Sequence, residues 1–183
     1  MLPSLIEATR HRVLRVALAA SLLVAVVGCT GYQKEDPTKE FADQSVEQIY
    51  NTAMDRMAEG RYERAAKAFE EVDRQHPYSQ WATRAQIMTA FAYYQANKYD
   101  EAISAAERYI ELHPGASDTP YAYYLIGTCY YEQISDTGRD QEMTKQALTS
   151  FEELIKRYPD TPYARDAELK VDLTHDHLAG KEM

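Results

Sequence analysis

The chain has 183 residues, 45% hydrophobic and 27% charged, with seven Gly and seven Pro. That is the size and balance of one folded domain, and it excludes collagen-like and low-complexity chains. The formal net charge is −9; an acidic body lacks the clustered Lys and Arg that phosphate or anionic lipid requires, so no nucleic-acid partner is expected.

The charge is uneven. Residues 1–28 hold three Arg and one Glu, a net of +2, which leaves −11 for the remainder. The basic RHRVLR leads into an uncharged run, VALAASLLVAVVG, at 16–28. A spanning helix needs about 20 apolar residues, so this shorter run fits the apolar core of a signal peptide with its basic end on the cytoplasmic side. Cys29 stands where the chain turns polar. A free thiol there would be exposed to oxidation. A disulfide with Cys129, the only other cysteine, competes with the usual fate of a small thiol in an apolar helix, which is burial. Val26-Val27-Gly28-Cys29 resembles the bacterial lipobox. The resemblance implies cleavage before Cys29, a covalent N-acyl diacylglycerol group on it, and no other cofactor. Thr30, where an Asp would signal inner-membrane retention, implies outer-membrane delivery. Residues 1–28 are then a lipoprotein signal peptide, and 29–43 an acylated N-terminus and flexible tether reaching about 50 Å when extended.

From residue 44 to 183 the pattern is helical and repeats. GRYERAAKAFEEVDRQHP, NKYDEAISAAERYIELHP and TKQALTSFEELIKRYP end at Pro77, Pro114 and Pro159. Each carries a small residue and two core residues at four- and three-residue spacing: Ala65/Phe69/Val72, Ala102/Ala106/Tyr109 and Ala147/Phe151/Leu154. That is one face of a helix, which the proline then stops. A first helix precedes each one, with Ala53, Ala90 and Gly127 as small residues where two helices meet closely. Gly127 costs about 1 kcal/mol in a helix, so it has a packing reason. Gly60 and Asn97 suit helix C-termini. DTPYARDA at 160–167 echoes DTPYAYY at 118–124 and opens a fourth first helix over 162–179; a capping helix and a truncated repeat both fit. These segments resemble the tetratricopeptide repeat over residues 46 to 167. The implied fold is an all-α solenoid of antiparallel helix pairs, three repeats plus the first helix of a fourth. A surplus at 134–143 predicts a loop between the third repeat's helices.

No phosphate loop, CxxC, HExxH or GxSxG motif is present, so no enzymatic activity is expected. His175 and His177 stand two apart on a predicted helix and point to different sides, a poor metal pair. Tyr is abundant, with fifteen copies. Tyr93, Tyr99, Tyr109, Tyr123 and Tyr130 are expected to fill gaps between helices. In tetratricopeptide domains another stripe of each first helix lines the concave side. Carried over, it is Tyr50, Met54 and Met57; then Arg84, Ile87, Phe91 and Tyr94; then Tyr121, Tyr124, Thr128 and Tyr131. Such a stripe is either a groove for an extended apolar peptide, with Arg84 meeting a carboxylate, or packing under long loops.

The lipobox, the acidic tether, EEVDRQHPYSQWATRAQIMTAFAYYQANKYDEAI and HPGASDTPYAYYLIGTCYYEQI together resemble the BamD family of β-barrel assembly lipoproteins over residues 26–183. The resemblance implies a non-enzymatic protein on the periplasmic face of the outer membrane. Its partners would be the barrel subunit BamA, other assembly-machine subunits and unfolded outer-membrane protein clients, with outer-membrane lipid reached through the anchor. That family usually has five repeats, the first reading clients and the last holding BamA. An envelope adaptor for peptidoglycan or division factors is the alternative reading.

Overall fold

A computed structural model of the chain describes residues 40–134 and 141–181, with side chains described through residue 175. The expectations for the signal peptide, Cys29, residues 30–39, His177 and the centre of the 134–143 loop lie outside the described residues.

Among the described residues seven helices follow one another: α1 (Val46–Ala58), α2 (Tyr62–Gln75), α3 (Gln80–Gln95), α4 (Tyr99–Leu112), α5 (Thr119–Glu132), α6 (Gln141–Arg157) and α7 (Pro162–Lys181). No strand occurs among the described residues. Helix α6 starts earlier than the repeat pattern predicts, because Gln141, Glu142 and Met143 join its first turn. No helix among the described residues is long and apolar enough to cross a membrane.

The helix ends follow from their residues. Ser45 opens α1 with a capping box, its hydroxyl accepting from the Gln48 N–H while the Gln48 side chain accepts from the Ser45 N–H. The Ser79 hydroxyl accepts the Ala82 N–H at the start of α3. After α1 and α3 the chain turns through Gly60 (φ +72°) and Asn97 (φ +56°). At both turns an N–H reaches back five residues along the chain, Arg61 to Arg56 and Lys98 to Tyr93. Left-handed backbone is cheap for Gly and tolerated by Asn, so these residues end the helices as expected. Helices α2 and α4 stop at His76 (φ −134°, ψ 54°) and His113 (φ −132°, ψ 56°), which the following prolines keep out of the helical region.

Consecutive helices pack as α1/α2, α3/α4 and α5/α6, with each second helix also against the next first helix. The repeat cores are the predicted ones: Ala65, Phe69, Val72, Ala102, Ala106, Tyr109, Ala147, Phe151 and Leu154 are all buried. First helices touch one another from repeat to repeat (α1 with α3, α3 with α5, α5 with α7), whereas among the described residues the backbones of α2 and α4, and of α4 and α6, do not come close. The first helices therefore lie on the inside of the curve.

Ala53, Ala90 and Gly127, the small residues of the three first helices, are all buried. A Cβ added to Gly127 would lie 2.5 Å from the fully buried Phe151 ring. At the same repeat position α7 carries Leu169, 64% exposed. Helix α7 thus follows the first-helix pattern at Tyr163 and Ala164 and departs from it where a second helix would sit close.

Polar groups tie the first two repeats together on the other side. The Asp73 carboxylate of α2 accepts from Gln86 of α3 at 2.7 Å and pairs with Arg108 of α4 at 2.5 Å. Gln86 in turn contacts the His113 ring at 2.5 Å. The Nε2 atom of His76 is buried with no hydrogen-bond partner. The repeat offset explains it: the position of Gln86 is occupied in α1 by Ile49, which offers no polar atom.

One correction concerns the tether. Phe41 falls inside the stretch expected to be flexible, yet it is fully buried in the first core with the Arg56 guanidinium 5.3 Å from its ring centroid. The polar run around it masked a single anchoring aromatic.

Two opposing effects make Gly127→Ala decisive. Helix propensity alone favours Ala by about 1 kcal/mol. Overpacking against Phe151 costs about 1–3 kcal/mol. Urea unfolding of the variant is expected to show a net loss of stability; a gain of about 1 kcal/mol would mean the close approach does not exist.

Candidate peptide groove

The repeat offsets place the predicted stripe in four rows across the inner helices, since residues three or four apart share a helix face. Row one is Glu47, Arg84, Tyr121 and Tyr163. Row two is Tyr50, Ile87, Tyr124 and Asp166. Row three is Met54, Phe91, Thr128 and Lys170. Row four is Met57, Tyr94, Tyr131 and Leu173.

Aromatic rings join these rows from helix to helix. Tyr50 packs on Phe69 and Trp81, with centroids 5.3 and 4.8 Å apart. Phe91 of α3 meets Tyr121 of α5 at 6.4 Å, and Tyr121 meets Tyr163 of α7 at 5.4 Å. Tyr163 also meets Tyr124 at 5.7 Å. Such spacings fall in the range of favourable tilted aromatic pairs. The ladder leaves Phe91, Tyr94, Tyr121, Tyr124 and Tyr131 half-buried, and Met54 and Arg84 exposed.

Two predicted groove residues are closed to solvent. Ile87 belongs to the second core and is 7% exposed. Thr128 is 5% exposed and donates its hydroxyl to the Tyr124 carbonyl at 2.9 Å. They form the floor beneath the stripe rather than its surface. Met57 and Tyr50 lean on the first core. The gap-filling tyrosines divide similarly: Tyr109 is fully buried, and Tyr93, Tyr99, Tyr123 and Tyr130 are half-buried against neighbouring cores.

Tyr163, Asp166 and Trp81, which the predicted stripe lacked, make direct contact with its tyrosines. Tyr163 and Asp166 come from α7, and their signal was the DTPYA echo, which puts Tyr163 in register with Tyr121. Trp81 lies outside the repeat rows and reaches Tyr50 from the first turn of α3.

The electrostatics are simple. Burial, followed by the neighbouring Tyr163, raises the Tyr121 hydroxyl. Burial and the hydrogen bond to Asp166 push Tyr124 up to about 12. Tyr50 is raised by burial, with the Arg84 charge working against it. These phenols stay neutral across physiological pH and offer O–H donors on an apolar surface. Arg84 makes no ion pair with any described residue. The Tyr124 hydroxyl donates to Asp166 at 2.5 Å, and the Lys170 ammonium lies 5.0 Å from the Tyr131 ring centroid.

A second concavity of about 410 Å³ uses the opposite stripe of α3 (Gln86, Thr89, Tyr93) with Glu70, Asp73 and Arg108 of the outer helices. Three of its charged groups are engaged, since Tyr93 donates to Glu70 at 2.7 Å and Asp73 holds Arg108, and Asp100 and Glu101 complete an acidic lining. Cys129 is buried, and burial pushes its thiol up to about 12, the opposite of an activated nucleophile.

The fold and the inner stripe define a tetratricopeptide-type solenoid with an aromatic concave surface. Two solved structures share the fold at a TM-score of 0.50. The type III secretion translocator chaperone SycD of Yersinia enterocolitica is 20% identical and covers 75% of this chain and 93% of its own. MamA RS-1 is 17% identical and covers 96% and 90%. The family model described as outer membrane lipoprotein, YfiO, matches residues 42–183, and the chain belongs to that family. Relatives named outer membrane protein assembly factor BamD include those of Caulobacter vibrioides, 48% identical over 92% of this chain and 55% of the relative, and Rickettsia prowazekii, 38% identical over 91% and 65%. The BamD of Neisseria gonorrhoeae is 32% identical over 92% and 67%. The chain therefore spans between half and two thirds of the length of these relatives.

Proposed function

We propose that this chain is the client-reading part of an outer-membrane assembly lipoprotein. It binds extended, aromatic-ended segments of unfolded outer-membrane proteins in the groove of its inner helices and presents them to the barrel subunit BamA. The lipid on Cys29 holds it on the periplasmic face of the outer membrane. The role is non-enzymatic. The observation that carries the reading is the ladder Phe91–Tyr121–Tyr163–Tyr124, which crosses three first helices in a family of assembly factors.

An unfolded barrel strand alternates apolar and polar side chains, because successive residues face opposite sides. A surface of half-buried tyrosines suits such a segment. Rings take the apolar side chains, and neutral hydroxyls meet peptide groups that have no strand partner yet. The acidic body explains the need for an anchor. A net negative domain gains nothing from anionic lipid, whereas each buried acyl methylene contributes about 0.8 kcal/mol.

Phe91→Ala and Tyr124→Ala are expected to weaken binding of a Phe-ended outer-membrane-protein peptide about tenfold each, with the helical circular-dichroism signal unchanged. Equal affinity in the folded variants would remove the groove. Cys29→Ser is expected to leave an uncut, unlipidated precursor, seen as a mass shift and loss of acyl label. A mature membrane-bound product from that variant would contradict the anchor.

A further inference from the structure

Arg84 and Asp166 bound the aromatic ladder at opposite sides. Arg84 lies in the second turn of α3 in the first row, and Asp166 in the second row of α7, two inner helices away and about one turn deeper. Both are exposed. Arg84 has no ion-pair partner among the described residues, and neither does Glu47, which holds the same repeat position on α1. Asp166 accepts the Tyr124 O–H, which is neutral, so its negative charge is uncancelled by that bond. Lys170 stands one turn along α7, but its ammonium sits over the Tyr131 ring, deeper in the groove. Between the two charges lie Tyr121, Tyr124 and Tyr163.

We infer that the groove is directional: it takes an extended peptide with its terminal carboxylate at Arg84 and a cationic side chain at Asp166. This rests on the client-binding reading above. Packed helices stand about 8–10 Å apart, so two steps, α3 to α5 to α7, span about 16–20 Å. An extended peptide covers about 3.3 Å per residue, which puts the cation about five or six residues before the C-terminus. A guanidinium holds a carboxylate through two parallel N–H donors, whereas an amide end offers it only one carbonyl. Asp166 is the weaker selector, because it is exposed and Lys170 is near. Its effect is discrimination: a Glu at that peptide position meets a like charge beside an apolar wall.

The test uses the purified lipidated chain in detergent micelles and eight-residue peptides ending in Phe, read by fluorescence anisotropy. The peptides carry a free carboxylate or a C-terminal amide, and Lys or Glu at the sixth position from the end. For the unsubstituted protein, amidation is expected to weaken binding about tenfold, and Lys to be preferred over Glu about threefold. Arg84→Ala is expected to abolish the amidation effect alone, and Asp166→Asn the Lys/Glu preference alone. Peptides that bind, lose affinity with Phe91→Ala, and respond to both changes equally in all three proteins would overturn the direction and leave the groove standing. Peptides that fail to bind, or bind without dependence on Phe91, would remove the groove itself and the direction with it.

Discussion

Everything on the inner surface depends on how closely two helices approach within a repeat. Ala53, Ala90 and Gly127 set that approach, and at Gly127 there is no room for even a methyl group beside Phe151. Close-packed interiors respond to a single methylene, so this spacing fixes the tilt of each pair. The tilt in turn brings consecutive first helices into contact and leaves the backbones of the second helices apart. Without that geometry, Phe91, Tyr121 and Tyr163 would belong to separate repeats and could not form one surface.

The same economy shapes the polar contacts. Asp73 is largely buried and touches both Gln86 and Arg108, so one carboxylate spans α2, α3 and α4. A buried carboxylate without partners is costly, which makes such a group an effective lock on relative helix position. The lock has a visible limit in the first repeat. Ile49 replaces the glutamine that would meet His76, and the ring is left with a buried nitrogen and no partner. The outer cleft thus serves as a structural joint through Asp73, while the aromatic surface collects on the inner side.

Much of this was legible in the sequence because a repeat states its rules three times. Ala65/Phe69/Val72 and its two counterparts are buried as their spacing implies, Gly60 and Asn97 adopt left-handed backbone, and the prolines end the helices. Periodicity also located the inner stripe, but it could not grade depth. Ile87 and Thr128 share a stripe with Phe91 and Tyr124 and are nevertheless closed off, because their short side chains end below the ring layer. Phe41 and Trp81 were invisible to the repeat, since neither recurs: each is a single aromatic placed by tertiary contacts with Arg56 and Tyr50. Leu169 was readable as a departure only once the closeness at Gly127 was known.

The central claim is that the inner first helices, and not the outer cleft, form the binding surface. Methyl and aromatic NMR on the labelled chain, titrated with a Phe-ended outer-membrane-protein peptide, measures this directly. Shift changes are expected to concentrate at Phe91, Tyr121, Tyr124 and Tyr163, with the outer helices unmoved. Changes confined to the outer cleft around Thr89, Tyr93 and Tyr109, or none at saturating peptide, would contradict it.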